Sequence, residues 1–271
     1  MDEEARAAGI NIIPDCGLAP GMVSVLAMHG LERFPEADSL HIRVGGLPKD
    51  PQPPLDYQIV FSVEGLINEY VEAARVVRDG KLITVESMTE LETLDFPEPW
   101  GRMEAFQTSG GTSTLPQSLG TRIRNLDYKT IRYPGHCERF KAMLDLGLGR
   151  SEPVAIDGIS IAPRRLFGKL LVDNLPADGP DVVLVRLSFM AGTEGRRREL
   201  RYQIIDEYDE ENNVSAMMRT TAFPASIVAQ MMANGETRRK GAIPQEQAIE
   251  PNAFVRELER RNIRIDQEMI T

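Results

Sequence analysis

The sequence is poor in the residues that build metal centres and disulfide frameworks. Its 271 residues include two cysteines, three histidines and one tryptophan. Cys16 and Cys137 are too few for a disulfide network, and free thiols are normal in a reducing compartment. A metal tetrad of Asp15, Cys16, His136 and Cys137 would use adjacent ligand pairs, which is not the spacing that structural zinc sites favour. We therefore expect no metal site and a cytoplasmic protein.

Long apolar runs and an excess of positive charge are also missing. No stretch approaches the roughly 20 apolar residues that a membrane-spanning helix needs, and no signal peptide precedes the first predicted elements. The 31 basic and 41 acidic residues give a net charge of −10, whereas phosphate binding needs concentrated positive charge. The one basic run, Arg196 to Arg198, is expected to be a solvated hairpin tip. We therefore expect neither a membrane nor a nucleic acid as partner.

A third absence concerns nucleotide binding. A dinucleotide-binding motif consists of a strand, a G-x-G-x-x-G loop and a helix, followed about 20 residues later by an acidic residue. No glycine cluster in this sequence has that order. The clusters are Gly45-Gly46, Gly110-Gly111, Gly147 to Gly149 and Gly192 to Gly195. The chain by itself is therefore not expected to bind NAD or NADP tightly.

The most informative segment that is present is DCGLAPG, from Asp15 to Gly21. It follows an apolar run that predicts a strand, Ile10 to Ile13, and it precedes a pattern that predicts a helix from Met22 to Phe34. Loops at the carboxyl ends of strands carry the chemistry of α/β enzymes, and a helix start offers free N–H groups. Four further motifs follow: GGLP (45–48), SVEGLINEY (62–70), TSGGTSTLP (108–116) and DYKTIRYPGH (127–136).

In kind, order and spacing, these motifs resemble the saccharopine dehydrogenase-like enzymes, most closely their lysine 6-dehydrogenase branch. The resemblance extends to about Arg264 and implies an α/β (mixed α+β) fold, a mixed β-sheet with helices on one side. Members of the family begin with a Rossmann half, so we expect a carboxyl-terminal portion that lacks most of it. The implied parts are a Rossmann remnant with the nicotinamide loop (1–21), a substrate-binding and dimerisation domain (22–219), and a helical segment (220–271) that returns to the Rossmann half.

The resemblance also implies partners. We expect a homodimer, a small amino acid substrate, and NAD or NADP bound only together with the missing half; a separately encoded Rossmann half is one candidate partner, and a mis-called start codon or a cloned fragment is the alternative. If the helical segment has lost its partner, an exposed apolar face would result, and the alternative is that its residues lie in a local core. The candidates are Leu26, Ile227, Val228, Met231 and Met232.

The family's common reaction moves a hydride between NAD(P) and a carbon bonded to nitrogen, through an imine. Saccharopine reductases usually carry Asp at the position of Ala19, Cys at that of Val44, and an Asn-Arg pair near TSGG. Because these features are absent, we expect free lysine as substrate, oxidised at its ε-carbon with release of ammonia. The alternatives are a saccharopine or carboxynorspermidine dehydrogenase-type reductase and a non-catalytic relic or binding module of the same fold.

Each part of such a site has candidate residues. The nicotinamide wall is expected at the small and apolar residues Gly17, Leu18, Ala19, Pro20 and Gly21. The substrate is expected at Arg132, whose guanidinium can hold a carboxylate, with Thr130 on the same strand face and Tyr133 on the other. The loop rich in hydroxyls and glycine adds Thr108, Ser109, Gly110, Gly111 and Thr112.

Proton transfer has two candidates. His136 follows the RYPG turn at a helix start, and an imidazole titrates near neutral pH. Asp15 opens the nicotinamide loop and is the alternative base, or the partner of the substrate ammonium group. Structural alternatives remain open for the site residues: a helix-entry turn for the loop, a surface ion pair for Arg132 and a core or capping histidine for His136.

Hydrophobic periodicity predicts the other elements. These are a helix remnant at 3–9, a strand at 40–44, a surface loop at 48–54, a helical pattern at 62–78, strands at 81–87, 103–108 and 127–133, helices at 139–146 and 163–174, a hairpin of 181–190 with 199–208, and helices at 225–234 and 252–261.

Overall fold

One mixed sheet of nine strands forms the centre of the computed structural model, which describes residues 1–192, 196–237 and 239–271. The strands are β1 (Asn11–Ile12), β2 (Ser39–Pro48), β3 (Ala74–Arg78), β4 (Lys81–Val85), β5 (Glu92–Asp95), β6 (Arg102–Gln107), β7 (Asn125–Arg132), β8 (Val154–Ile156), β9 (Ile159–Ile161), β10 (Asp181–Ala191), β11 (Arg198–Glu207), β12 (Gly241–Ala242) and β13 (Asp266–Ile270). The helices are α1 (Asp2–Ala7), α2 (Met22–Arg33), α3 (Val63–Val71), α4 (Leu115–Leu119), α5 (His136–Asp145), α6 (Pro163–Asn174), α7 (Ala216–Ala233), α8 (Gln245–Ala248) and α9 (Pro251–Glu259).

The strand order of the sheet is β13-β11-β10-β2-β7-β3-β4, and β6 and β5 continue it beside the carboxyl half of β7. The strands β2 and β7 run parallel, whereas β10 pairs antiparallel with both β2 and β11. The predicted mixed α/β fold and the predicted hairpin are therefore confirmed. Outside this sheet, β1 pairs in parallel with β12, so the first residues of the chain contact its carboxyl-terminal segment.

The two faces of the central sheet differ in chemistry. Even-numbered residues of β2 and β7, such as Ile42 and Leu126, belong to the main core, together with buried residues of α2, α7 and α9. Odd-numbered residues such as Arg43, Asp127 and Lys129 form an ion-pair network on the opposite face. This alternation follows from the two-residue period of a strand.

The carboxyl-terminal segment is covered within the chain itself. Leu26, Ile227, Val228 and Met231 are buried in the main core, and Met232 is partly buried against it. These residues therefore lie in a local core, which was the alternative to an exposed apolar face, because α7 and α9 pack against α2 and against each other. The boundary expected after residue 219 falls within α7, which also packs on β10 and β11. The division into domains stays a prediction.

Two expected elements differ from the structure. The helical pattern at 62–78 ends at Val71, and Ala74–Arg78 is a strand instead, because Val76 and Val77 pair with β4 and β7 and are buried there. The helix predicted at 225–234 starts earlier, at Ala216, and continues through Pro224. Arg196 and Arg197 are exposed, as expected for a hairpin tip, and the loop residues 193–195 lie outside the described residues. Among the described helices, none has the length and apolar character to cross a membrane.

Candidate functional site

A cavity of about 260 Å³ opens where the segment that precedes α2 meets β2 and β7. Its lining residues come from five parts of the chain: Gly17, Leu18, Ala19 and Pro20; Val44, Gly45 and Gly46; Phe61 and Glu69; Tyr128, Thr130 and Arg132; Met217 and Thr221. A larger cavity of about 540 Å³ beside α5 contains none of the predicted site residues. The smaller cavity is therefore the candidate site.

The segment 15–21 is closed on itself by its glycines. Gly17 and Gly21 form a backbone bridge, and the amide of Met22 donates to the Gly17 carbonyl oxygen at 2.7 Å. Gly21 has a φ of 140°, and a Cβ there would lie 2.1 Å from the Gly17 oxygen. This fold turns Leu18, Ala19 and Pro20 toward the cavity, whereas Gly21 anchors the turn outside the lining. That these residues form a nicotinamide wall stays a prediction.

We predict that Gly21→Ala opens this turn. The new methyl group meets backbone atoms, and the φ is one that residues with side chains rarely adopt, so the loss of unfolding free energy should be about 2 to 3 kcal/mol. Gly80→Ala is the matched control: Gly80 also has a positive φ of 73°, but a Cβ at that position would have no atom within 4 Å. Chemical denaturation measures both. Equal losses of unfolding free energy in the two variants would show that the backbone around Gly17 moves to accept the new methyl group without further cost.

Arg132 is the central cation of the cavity. Its side chain is buried, its Nε donates to the Tyr70 hydroxyl at 2.8 Å, and its Nη1 donates to the Ile131 carbonyl at 2.8 Å. The guanidinium lies 4.8 Å from the Tyr57 ring centroid. Within the described residues, no carboxylate forms an ion pair with Arg132. A buried guanidinium without such a partner is suited to bind an anionic ligand.

Glu69 is a site residue that the sequence analysis missed. It lies on α3, half-buried, and lines the same cavity as Arg132. Burial raises the pKa of its carboxyl to about 7, and the opposing charge of Arg132 limits the rise. The available signal was its place on α3, next to the buried Leu66 and Tyr70, where an acidic residue is unusual.

The hydroxyl- and glycine-rich loop lies behind the cavity wall. Thr108 Oγ1 is 2.7 Å from Thr130 Oγ1, and the Ser109 amide donates to the Glu69 carbonyl oxygen at 3.0 Å. A Cβ at Gly111 would lie 2.3 Å from the Tyr128 ring. Gly110 is exposed and Thr112 is buried, and the cavity lining includes none of these five loop residues. This placement favours a supporting role over direct contact with a ligand in the cavity.

The predicted proton-transfer residues lie outside the cavity lining. His136 is fully buried; burial and the charge of Arg132 lower its pKa to about 3. Its Nδ1 is 2.9 Å from the Leu55 carbonyl oxygen, and its Nε2 is 3.1 Å from the Tyr70 hydroxyl. A neutral histidine sealed among aromatic rings does not fit a proton shuttle near pH 7, so the core alternative is the better description.

Asp15 and Tyr133 are also placed away from the cavity lining. Asp15 is exposed and accepts a hydrogen bond from the Ser113 hydroxyl. The Tyr133 hydroxyl donates to the Pro48 carbonyl oxygen at 2.8 Å, on the strand face opposite to Arg132. Thr130 and Arg132 share the cavity face, as the strand period predicts.

Comparisons with a family model and with curated proteins point to the same family. The model of the saccharopine dehydrogenase C-terminal domain matches residues 17–263. Alpha-aminoadipic semialdehyde synthase of Bos taurus is 24% identical over 316 residues, which cover 89% of this chain and 33% of the relative. Saccharopine dehydrogenase [NADP(+), L-glutamate-forming] of Saccharomyces cerevisiae is 28% identical over 156 residues, which cover 55% of this chain and 35% of the relative. The matched regions span about a third of the length of these curated relatives.

The fold has a solved counterpart. The apo structure of saccharopine dehydrogenase (L-Glu forming) from Saccharomyces cerevisiae has a TM-score of 0.79 and 19% identity, and the match covers 100% of this chain and 76% of that chain. None of the relatives named above is a lysine 6-dehydrogenase, so closeness to that branch stays a prediction. The match over residues 17–263, on the fold and motifs described above, shows that the chain belongs to the saccharopine dehydrogenase C-terminal domain family.

Proposed function

We propose that this chain is the substrate-binding portion of an NAD(P)-dependent oxidoreductase that acts on the C–N bond of an amino acid. The observation that carries the proposal is the buried Arg132 guanidinium on the cavity wall, without an ion-pair partner among the described residues. Glu69 lies in the same cavity but forms no ion pair with Arg132 among the described residues, so an anionic ligand can offset part of the cost of burying this charge. The α-carboxylate of an amino acid is a ligand of the required charge and shape.

The residues present fit one end of a nicotinamide dinucleotide. Leu18 is buried, and with Ala19 and Pro20 it gives the cavity a small apolar wall against which a flat ring can lie. These 271 residues contain no G-x-G-x-x-G loop for the pyrophosphate. We therefore propose that NAD or NADP binds only together with a nucleotide-binding half, in the same chain or separately encoded. We also propose a homodimer.

Free lysine is the substrate that we propose within this class. Among the described residues of the cavity lining, Arg132 is the one cation, which suits a substrate with one carboxylate, whereas saccharopine carries three. Ala19 and Val44, where saccharopine reductases usually carry Asp and Cys, both lie on the cavity wall and leave it apolar there. The aliphatic part of lysine suits such a wall.

The proposed reaction forms an imine and then hydrolyses it. A hydride leaves the ε-carbon and a proton leaves the ε-amine, so that a carbon–nitrogen double bond forms. A bound nicotinamide would supply the hydride acceptor. Water then adds to the carbon and ammonia leaves, giving the aldehyde. In this scheme Arg132 holds the α-carboxylate, while Leu18 and Ala19 exclude water from the apolar end of the cavity.

Formation of reduced cofactor tests this proposal in the protein supplied with its nucleotide-binding half. We expect turnover with L-lysine and NAD(P)⁺, and at most weak turnover with saccharopine. The reverse preference would favour the second candidate, a saccharopine dehydrogenase, which the names of the relatives suggest. Absence of turnover with both substrates, in a preparation that binds the cofactor, would favour a non-catalytic binding module.

A further inference from the structure

We infer that Glu69 binds the α-ammonium group of the substrate and so selects α-amino acids over simple carboxylates. The inference deepens the proposed function and rests on it, because it assigns a second contact within the same cavity. It replaces Asp15, the expected ammonium partner, which is exposed and bonded to Ser113.

The geometry places Glu69 for this contact. Glu69 lies on α3 and Arg132 on β7, and both side chains line the one cavity. The α3 backbone is fixed there, since the Ser109 amide donates to the Glu69 carbonyl oxygen at 3.0 Å and the Ser109 hydroxyl donates to the Asn68 carbonyl oxygen at 3.4 Å. In the part of the chain that the structure describes, the Glu69 carboxyl has no hydrogen-bond or ion-pair partner. It is therefore free to accept a donor from a ligand.

A positive group, Arg132, and an acidic group, Glu69, line the same cavity, which favours a zwitterionic ligand. A carboxylate bound at Arg132 comes close to Glu69, and two negative groups repel each other in a site shielded from water. An ammonium on the adjacent carbon removes the repulsion, because the charges then alternate from Arg132 through the ligand to Glu69. A ligand that lacks the α-amino group requires Glu69 to take up a proton instead.

The other titratable groups around Glu69 keep their charge state near neutral pH. They are Arg132 and Tyr128 from β7, Tyr70 from α3 itself, and Tyr57 from the segment before α3. Burial raises the pKa of all three phenols, so they stay neutral, and the guanidinium stays charged. The pKa of Glu69 is raised to about 7, so changes in proton uptake near neutral pH report on Glu69.

Calorimetry with the 271-residue chain tests the inference, with L-lysine compared against 6-aminohexanoate, which lacks only the α-amino group. We expect lysine to bind about tenfold to a hundredfold more tightly, the range of one charge-assisted hydrogen bond. Lysine should release up to one proton on binding at and below about pH 7, where Glu69 starts protonated, whereas 6-aminohexanoate should cause uptake at and above about pH 7, where Glu69 starts ionised. Titrations in buffers of different ionisation enthalpy measure both effects on the wild-type chain.

Glu69→Gln should abolish the preference for lysine and the proton release, while 6-aminohexanoate binds as well as before or better. Glu72→Gln is the matched control, because it makes the same change at an exposed residue one turn further along the chain. It should alter neither the preference for lysine nor the proton release. Retention of the lysine preference in Glu69→Gln, or equal binding of both ligands to the wild type, would overturn the role of Glu69 and leave the carboxylate site intact. Failure of the wild type to bind either ligand would overturn the proposed function as well.

Discussion

Arg132→Ala should lower kcat/KM for lysine in the cofactor-competent protein, because the substrate carboxylate loses its charge-assisted partner. The corresponding loss of transition-state stabilisation should be about 2 to 4 kcal/mol. The effect should fall on the KM for lysine far more than on the KM for the cofactor. Arg132→Lys should recover only part of the loss, since an ammonium cannot donate to both carboxylate oxygens in the plane of a guanidinium. Steady-state kinetics with each substrate varied in turn measures these effects.

Cadaverine supplies the control for this prediction, because it is lysine without the carboxylate. Its turnover should change little when Arg132 is replaced. Arg132 also donates to the Tyr70 hydroxyl, so the unfolding transition of each variant must be compared with that of the wild type. An equal loss with lysine and with cadaverine would mean that Arg132 supports the aromatic cluster and that the carboxylate binds elsewhere.

Asp127→Asn should destabilise the fold by about 3 to 5 kcal/mol, the cost of removing one partner from a buried ion pair. Asp127 is buried on the charged face of the sheet, where its Oδ1 accepts from Arg43 at 2.8 Å and lies 2.7 Å from His41 Nδ1. Both Nη atoms of Arg78 donate to its Oδ2 at 3.3 Å. The substitution keeps the volume of the side chain but leaves Arg43 buried without this counter-charge.

The loss of stability in Asp127→Asn should become smaller as the pH falls. Burial alone would raise the pKa of Asp127, but the His41 hydrogen bond and the charge of Arg43 outweigh it and hold the pKa below its usual range. A lowered folded-state pKa contributes stability above the unfolded-state value of about 3.9, and this contribution is lost as pH falls further. Denaturant titrations should therefore show a constant difference from wild type above about pH 5 and a smaller one below about pH 4.

Asp173→Asn is the matched control, an identical change at an exposed residue paired with Lys169 along α6. It should alter stability by less than about 0.5 kcal/mol. A similarly small loss for Asp127→Asn would show that the network on the charged face is solvated and makes no net contribution.

Much of the local structure was predictable because it depends on neighbouring residues. The helix predicted at 163–174 is observed as Pro163–Asn174, with the proline in its first turn, where a missing N–H has no cost. The long hairpin of β10 and β11 was visible in the alternation of its side chains. The same two-residue period placed Thr130 and Arg132 on one face of β7.

Errors arose where distant parts of the chain decide the environment. Ala74–Arg78 continues a helical pattern in sequence but pairs with β4 and β7 in space. His136 has a promising motif context, yet Tyr57, Tyr70, Phe106 and Phe140 surround its ring. Burial by residues far along the chain sets the pKa of this histidine, and no local pattern contains that information.

The sequence by itself determined the family, the fold class, the turn at Gly17 to Gly21 and the identity of the buried cation, because each depends on residue types at fixed spacing. Only the tertiary structure decided which of the candidate residues share a cavity. It brought Glu69 of α3 beside Arg132 of β7 and placed the Thr108 to Thr112 loop behind the wall. The physical reason is that helix docking sets burial and distance between charges, and these decide which polar groups are left to bind a ligand.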